Sequence, residues 1–395
     1  MNAVPVIACQ KISSQTGKHL PMFTVVTDLG SGHMTWFDKG VEKLFVASEQ
    51  IRNLAEQKSV PNEKMVMSGL PIRKDFAMEA ERLGSGGRTS LQGKIYQMQI
   101  RDQLRIVGEE RSNLDSSMDL HRVVLVMGGG EGVGSLSHIV DSLYLEFARE
   151  DIFATIIVVC GRNEKLKASL ETRDWDEMLR VSSLQENENV KNSILRNGGA
   201  NLKRIASLPF NVFQKYQIGN NISDGSQVQE KRTNEQSECR DEDTCAQNKS
   251  QVVVHPLGFV TNMAECMVAA DVLVTKAGPG TIAEAASVGL PVMLTSFLPG
   301  QEEGNVDFVL EHKFGDFKSD SDPPSIAKTV GRWLKDPKGS LLAEMSIHAR
   351  AAGSPHAAEE IVRNIGTSVH RWKELHPEED EVIHGLNRSV SQVSC

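Results

Sequence analysis

No apolar run in this 395-residue chain is long enough to cross a bilayer; the nine residues Ile152 to Cys160 form the longest of interest and suit a buried strand. A membrane role, if there is one, is therefore peripheral. No CxxC pair occurs among the six cysteines, at 9, 160, 239, 245, 266 and 395, which leaves neither a zinc knuckle nor a disulfide framework. A basic excess is missing too. With a net charge of −9 there is no broad positive field to draw in phosphate backbones, so nucleic acid is not an expected partner. Met1 to Lys18 has no charged segment leading into an apolar core and reads as ordinary domain sequence rather than a signal peptide.

Three familiar phosphate-site patterns are also absent. The loop Gly128 to Ser135, GGGEGVGS, does not hold GxGxxG, because a start at Gly128 ends on Val133 and a start at Gly130 ends on Ser135. A P-loop fits Gly129 and Gly134, but Ser135-Leu136 replaces the Lys and Ser/Thr that it needs. The DxD strings at Asp174 to Asp176, Asp241 to Asp243 and Asp320 to Asp322 do not follow strand ends. Neither an NAD enzyme nor a P-loop ATPase is supported, and metal-free chemistry is expected.

Present instead is the composition of a globular α/β protein, 39% hydrophobic and 24% charged, with length for two domains. The pivotal stretch is Asp271 to Asn305. Val272 to Thr275 reads as a strand, Gly278-Pro279-Gly280 as a turn, Thr281 to Val288 as a helix, Val292 to Thr295 as a second strand, and the residues from Pro299 to Asn305 as a polar loop. A helix starting after such a turn aims unpaired N–H groups and its positive dipole end at whatever lies above the sheet. Lys276 adds charge for a phosphate. Glu284, one turn in, suits the two hydroxyls of a ribose, and Gln301, Glu302, Glu303 and Asn305 suit a sugar or are a plain polar loop. The loop after Val123 to Met127 either cradles phosphate or turns the chain. His33 is a base candidate or a structural turn residue.

Around this stretch, strands are expected at Met22 to Leu29, Lys43 to Ser48, Lys64 to Ser68, Ile152 to Cys160 and Val252 to His255. Helices are expected at Glu49 to Lys58, Gln97 to Val107, Met263 to Ala270, Pro324 to Lys335, Ser340 to Ala351 and His356 to His370. Strands alternating with helices imply parallel sheets covered on both faces. The expected division is an N-terminal domain over 1–118, with a linker from about 77, a second domain over 119–372, and a polar tail over 373–395. Residues 182–251, almost without apolar residues beyond Gly219, read as a disordered insertion.

Seven segments together resemble the monogalactosyldiacylglycerol synthases, plastid galactolipid-making enzymes. These are TDLGSGHMTWF (Thr27 to Phe37), GLPIRKDF (Gly69 to Phe76), MGGGEGVGSL (Met127 to Leu136), CGRNEKL (Cys160 to Leu166), GFVTNMAECM (Gly258 to Met267), TKAGPGTIAEA (Thr275 to Ala285) and PGQEEGNV (Pro299 to Val306). The resemblance implies a GT-B glycosyltransferase fold of two Rossmann-like domains, the N-terminal one incomplete. It implies UDP-galactose as donor and diacylglycerol at a membrane surface as acceptor, with inversion, no cofactor and a peripheral place on the plastid envelope. By matched positions, Gly128, Gly129, Gly130, Glu131 and Gly132 would hold the diphosphate with Lys276, Gly278, Pro279, Gly280 and Thr281, and Arg162 would lie nearby. Phe259 and Val260 would hold the uracil, Glu284 the ribose, and Gln301 and Glu302 the galactose, with Asn305 also on the donor side. His33 matches a family histidine, whereas the GGGH-type loop that supplies the family's base has no counterpart ahead of the matched segments. A UDP-N-acetylglucosamine-dependent enzyme of similar fold, or a UDP-sugar binder without turnover, are the alternatives.

Overall fold

The computed structural model describes residues 2–106, 121–128, 136–184, 251–336 and 339–375. Contacts divide the chain into one unit of residues 1–173 with 251–395 and a second of residues 174–250. Of the second unit, 175–184 are helical; the rest of the expected insertion lies outside the described residues.

The first unit contains two parallel sheets. The smaller has the order β1 (Phe23–Val25), β2 (Lys43–Val46), β3 (Met65–Met67). Helix Glu49–Gln57 links the last two, and its N-terminus is capped by Ser48, whose hydroxyl accepts from Ile51 N at 3.2 Å. The larger sheet runs β6 (Val252–Leu257), β5 (Ala154–Val159), β4 (Arg122–Met127), β7 (Val272–Thr275), β8 (Val292–Leu294), β9 (Gly315–Phe317). The chain enters at β4 in the middle, builds outward to β6, then returns to the other side of β4. That places a topological switch point between β4 and β7, the position beyond whose carboxyl ends open α/β sheets bind their ligands. Its central strands are near-continuous Val, Ile and Leu and buried along their length, as strands covered on both faces must be.

The expected strands and most expected helices are found within one to four residues. Three differences matter. Ala3–Thr16 is a helix although it lacks helical patterning, and only Val6 of it is buried. The polar loop expected after Pro299 turns helical at Glu303–Glu311, because Asn305, Val306, Phe308 and Val309 are buried on one face. Its glycine and asparagine hide that pattern in the sequence.

The third difference concerns the stretch expected to be a linker. From residue 77 to 106 it consists of helix Lys74–Arg82, a short turn and helix Leu91–Gln103, docked against the large-sheet layer. Arg88 is buried and donates from Nε to Val288 O at 2.7 Å, from Nη1 to Ala270 O at 2.6 Å and from Nη2 to Met267 O. Those carbonyls close the C-terminal ends of helices Met263–Ala269 and Pro279–Ser287, where a cation is favoured. Burial pulls the Arg88 pKa down to about 9, which still leaves it charged at neutral pH. Arg101 adds Nε to Ala269 O at 2.7 Å and an ion pair with Asp271 at 2.8 Å. Residues 107–120, and with them the expected boundary near 119, lie outside the described residues.

After helix Ser340–Ala352 the chain returns to the small-sheet layer as helix Ala357–Leu375. There Lys43 Nζ donates to Asn364 Oδ1 at 3.4 Å and Trp372 stacks on His19. Gly69, at φ +77, passes so close to Ser354 that a side chain at 69 would strike it. The expected tail is helical to Leu375, and 376–395 lie outside the described residues.

Candidate functional site

Register alone gathers the matched segments at one edge. Met127 pairs with Val159 and Thr275, Val159 with Leu257, and Thr275 with Leu294, so the strands end level. Gly128, Cys160 to Asn163, Gly258 to Val260, Lys276 to Gly280 and the loop after β8 therefore leave the sheet side by side. Gly129 to Gly132, with Glu131, fall outside the described residues.

At the switch point Gly278 precedes helix Pro279–Ser287 with extended backbone. Its own N–H is taken by Lys276 O at 2.8 Å, and Pro279 has none, so Gly280 and Thr281 supply the helix's open first-turn donors. A side chain built on Gly280 would meet only open space, so an anion can approach those N–H groups. Lys276 lies over the same turn, its Nζ 2.7 Å from Glu302 Oε1. The other Glu302 oxygen accepts from Leu298 N at 3.0 Å. The residue expected on phosphate and one expected on sugar are thus paired with each other.

Glu284 is buried on the second turn of that helix, and both its oxygens are held by Arg73 of the GLPIRKDF segment, Nε at 2.7 Å and Nη2 at 2.9 Å. Asn305 is fully buried: Oδ1 accepts from Leu29 N and Gly30 N, and Nδ2 donates to Ala277 O at 3.2 Å. Both polar atoms of its side chain are thus spent inside the protein. Gln301 is exposed, as is Arg162, and Phe259 is 70% exposed, while Val260 packs partly against the core.

The small-sheet side meets this edge through the loop after β1. Gly304 N donates to Ser31 Oγ at 2.9 Å, and Gly30 and Gly304 touch backbone to backbone, an approach that only glycine permits. Asp28, 3% exposed, turns the loop by accepting from Gly30 N at 3.1 Å and Ser31 N at 2.9 Å through Oδ1. Burial raises the Asp28 pKa and the charge of Glu302 adds to the rise, against the lowering effect of the backbone N–H groups of Ser31, Gly30 and Leu29. His33 is exposed and caps the turn Met34–Trp36, its Nδ1 accepting from Thr35 N at 3.3 Å and lying 2.8 Å from Thr35 Oγ1.

Sequence patterning did not single out Arg73, Asp28 and Ser31. Each sits in a quoted segment, and the available signal was a polar residue directly after a strand and a Gly-Leu-Pro turn. A separate cleft of about 700 Å3, lined by Lys94, Arg101, Arg122 and Asp271 among others, opens at the strands' opposite ends and holds none of these residues.

Comparison with known proteins bears on both sides of this edge. The family model of monogalactosyldiacylglycerol (MGDG) synthase matches residues 3–72, and that of the glycosyltransferase family 28 C-terminal domain matches residues 215–308. Monogalactosyldiacylglycerol synthase 2, chloroplastic, of Arabidopsis thaliana is 28% identical over 352 residues, which is 88% of this chain and 53% of that protein. The chloroplastic synthase of Spinacia oleracea is 28% identical over 347 residues, 87% of this chain and 46% of the relative. The chain thus spans about half the length of the curated relatives it matches. Among solved structures, Acinetobacter baumannii MurG aligns with a TM-score of 0.48 and 13% identity, covering 90% of this chain and 69% of its own. The parallel α/β layers and the family 28 region make this a GT-B type glycosyltransferase fold. The chain is thus similar to the monogalactosyldiacylglycerol synthases over most of its length, and its residues 215–308 match the glycosyltransferase family 28 C-terminal domain.

Proposed function

We propose that the chain transfers galactose from UDP-galactose to the free hydroxyl of diacylglycerol, with inversion, at the surface of a plastid envelope membrane. The observation that carries the reading is the joint between Asn305 and the Leu29–Gly30 backbone. It is where the segment matched by the synthase family and the segment matched by the family 28 domain touch. No helix among the described residues is long and apolar enough to span a bilayer, so the lipid would be met at the surface.

In the proposed reaction a base takes the proton of the acceptor hydroxyl as its oxygen bonds to the anomeric carbon. The bond from that carbon to the β-phosphate oxygen breaks through an oxocarbenium-like state, and its electron pair leaves with UDP. The Gly280 and Thr281 N–H groups, the helix dipole and Lys276 offset the charge growing on the leaving group. Glu302 is then released from Lys276 to meet sugar hydroxyls, with Gln301 beside it; Phe259 stacks on the base, and Gly128 to Gly132 and Arg162 complete the diphosphate cradle. The proposal includes no metal.

Incubating the chain with diacylglycerol vesicles and either UDP-galactose or UDP-N-acetylglucosamine, with and without EDTA, tests it by mass spectrometry of the lipid. A hexosyl lipid formed from UDP-galactose and unaffected by EDTA is expected. Transfer from the acetylated sugar alone would change the substrate, and UDP binding without any product would reduce the chain to a donor-binding protein.

A further inference from the structure

Arg73 precedes helix Lys74–Arg82 in extended backbone, which sends its side chain across to the large-sheet layer rather than along its own helix. There the guanidinium grips Glu284 as a two-pronged fork, the strongest geometry a carboxylate can be offered. The partners are unlike in one respect: the Glu284 side chain is 10% exposed and that of Arg73 is 56% exposed. Arg73 is otherwise steadied by the Phe76 ring, 4.8 Å from the guanidinium carbon. Water can thus take over the guanidinium at little loss, as for other exposed ion pairs. The buried carboxylate, in contrast, needs a replacement donor for each oxygen.

A ribose offers such a replacement, since its two neighbouring hydroxyls present two donors to the same two oxygens. Resting on the donor-site reading above, we infer that Arg73 competes with the ribose diol for Glu284. Nucleotide entry breaks the fork, and the freed guanidinium, already more than half exposed, is left to water. Glu284 then recognises ribose only in the fraction of molecules whose fork is open, and the apparent affinity is lowered by that fraction. A nucleoside with one hydroxyl satisfies one oxygen and displaces Arg73 poorly. Arg73 therefore sets how strongly the site weighs the 2′-hydroxyl.

Calorimetric titration of uridine, 2′-deoxyuridine and UDP into the wild type, Arg73→Gln and Arg73→Lys tests the inference. Uridine carries no phosphate, so loss of the Arg73 charge cannot itself weaken it. Arg73→Gln should bind uridine about tenfold more tightly, with a clearly smaller gain for 2′-deoxyuridine. Arg73→Lys keeps the charge without the fork and should fall between Arg73→Gln and wild type. Unchanged or weaker uridine binding in either folded variant would overturn the inference, as would an equal gain for both nucleosides. Failure of the wild type to bind UDP would be a different result, removing the donor-site reading itself.

Discussion

The Oδ1 atom of Asn305 accepts from the backbone N–H of Gly30 at 3.1 Å, while the Nδ2 of the same side chain reaches Ala277 O at 3.2 Å. One amide thereby ties the loop after β1 to the loop after β7. Asn305→Ala would leave two N–H groups and one carbonyl without it, in a place with little room for water. A loss of about 2–4 kcal/mol is expected in urea unfolding, on the scale of two or three unmade buried hydrogen bonds.

Gly304→Ala tests the same joint by intrusion. The new methyl group would fall on the Gly30 backbone, and backbone cannot swing aside as a long side chain can. Overpacking should cost about 1–3 kcal/mol. The Gly278 to Thr281 turn does not take part in that contact, so turnover should fall while UDP affinity changes little, a split visible by comparing kcat with the Kd for UDP.

Lys276→Met removes the cation that the proposed mechanism places on the leaving group. A fall in kcat on the order of 10²-fold is expected, comparable to loss of one preorganised donor. Glu302 loses its cationic partner in that variant and keeps only the Leu298 N–H. The double variant Lys276→Met, Glu302→Gln separates the two effects: it should recover stability in a melt without recovering turnover.

Arg88→Met should be among the most damaging changes far from the site. It strands the buried carbonyls of Val288 and Met267 and leaves that of Ala270 to Gln97 alone, and truncating a buried charged clamp costs about 3–5 kcal/mol. Loss of soluble protein, or a large drop in the urea midpoint, is the expected readout.

Asp28 has a distinctive pH signature. Its folded pKa lies above the unfolded value of 3.8, so the protonated form is favoured by folding. The stability from that preference is fully present below 3.8 and lost as pH rises through the folded pKa. Asp28→Asn keeps an oxygen for the Gly30 and Ser31 N–H groups but carries no charge. It should melt higher than wild type at neutral pH, and the difference should shrink as both are acidified toward 3.8.

Sheet strands were legible because runs such as Val123 to Met127 and Val272 to Thr275 are apolar, short and soon followed by glycine, whereas the order of the strands, and with it the switch point, was not. The turn at Gly278 to Gly280 was legible for the same reason. Partnerships across the chain were not: nothing local to Glu284 reveals that Arg73, 211 residues away, will take both its oxygens. Nor does the polar run after Pro299 reveal that Asn305 will be fully buried, since its partners are backbone atoms of another layer. Arg88 misled in the opposite sense, for a glycine-rich flank and a charged residue look like a linker until the helix ends it caps are known.

Among the described residues the chain passes between its two layers twice, and Gly69 and Ser354 mark where the outgoing and returning segments lie against each other. The outgoing segment is then fastened to the large-sheet layer by Arg88 and Arg101. The two layers are thus stitched together in two ways, by covalent chain at the paired crossings and by a single buried amide at the Asn305–Gly30 joint.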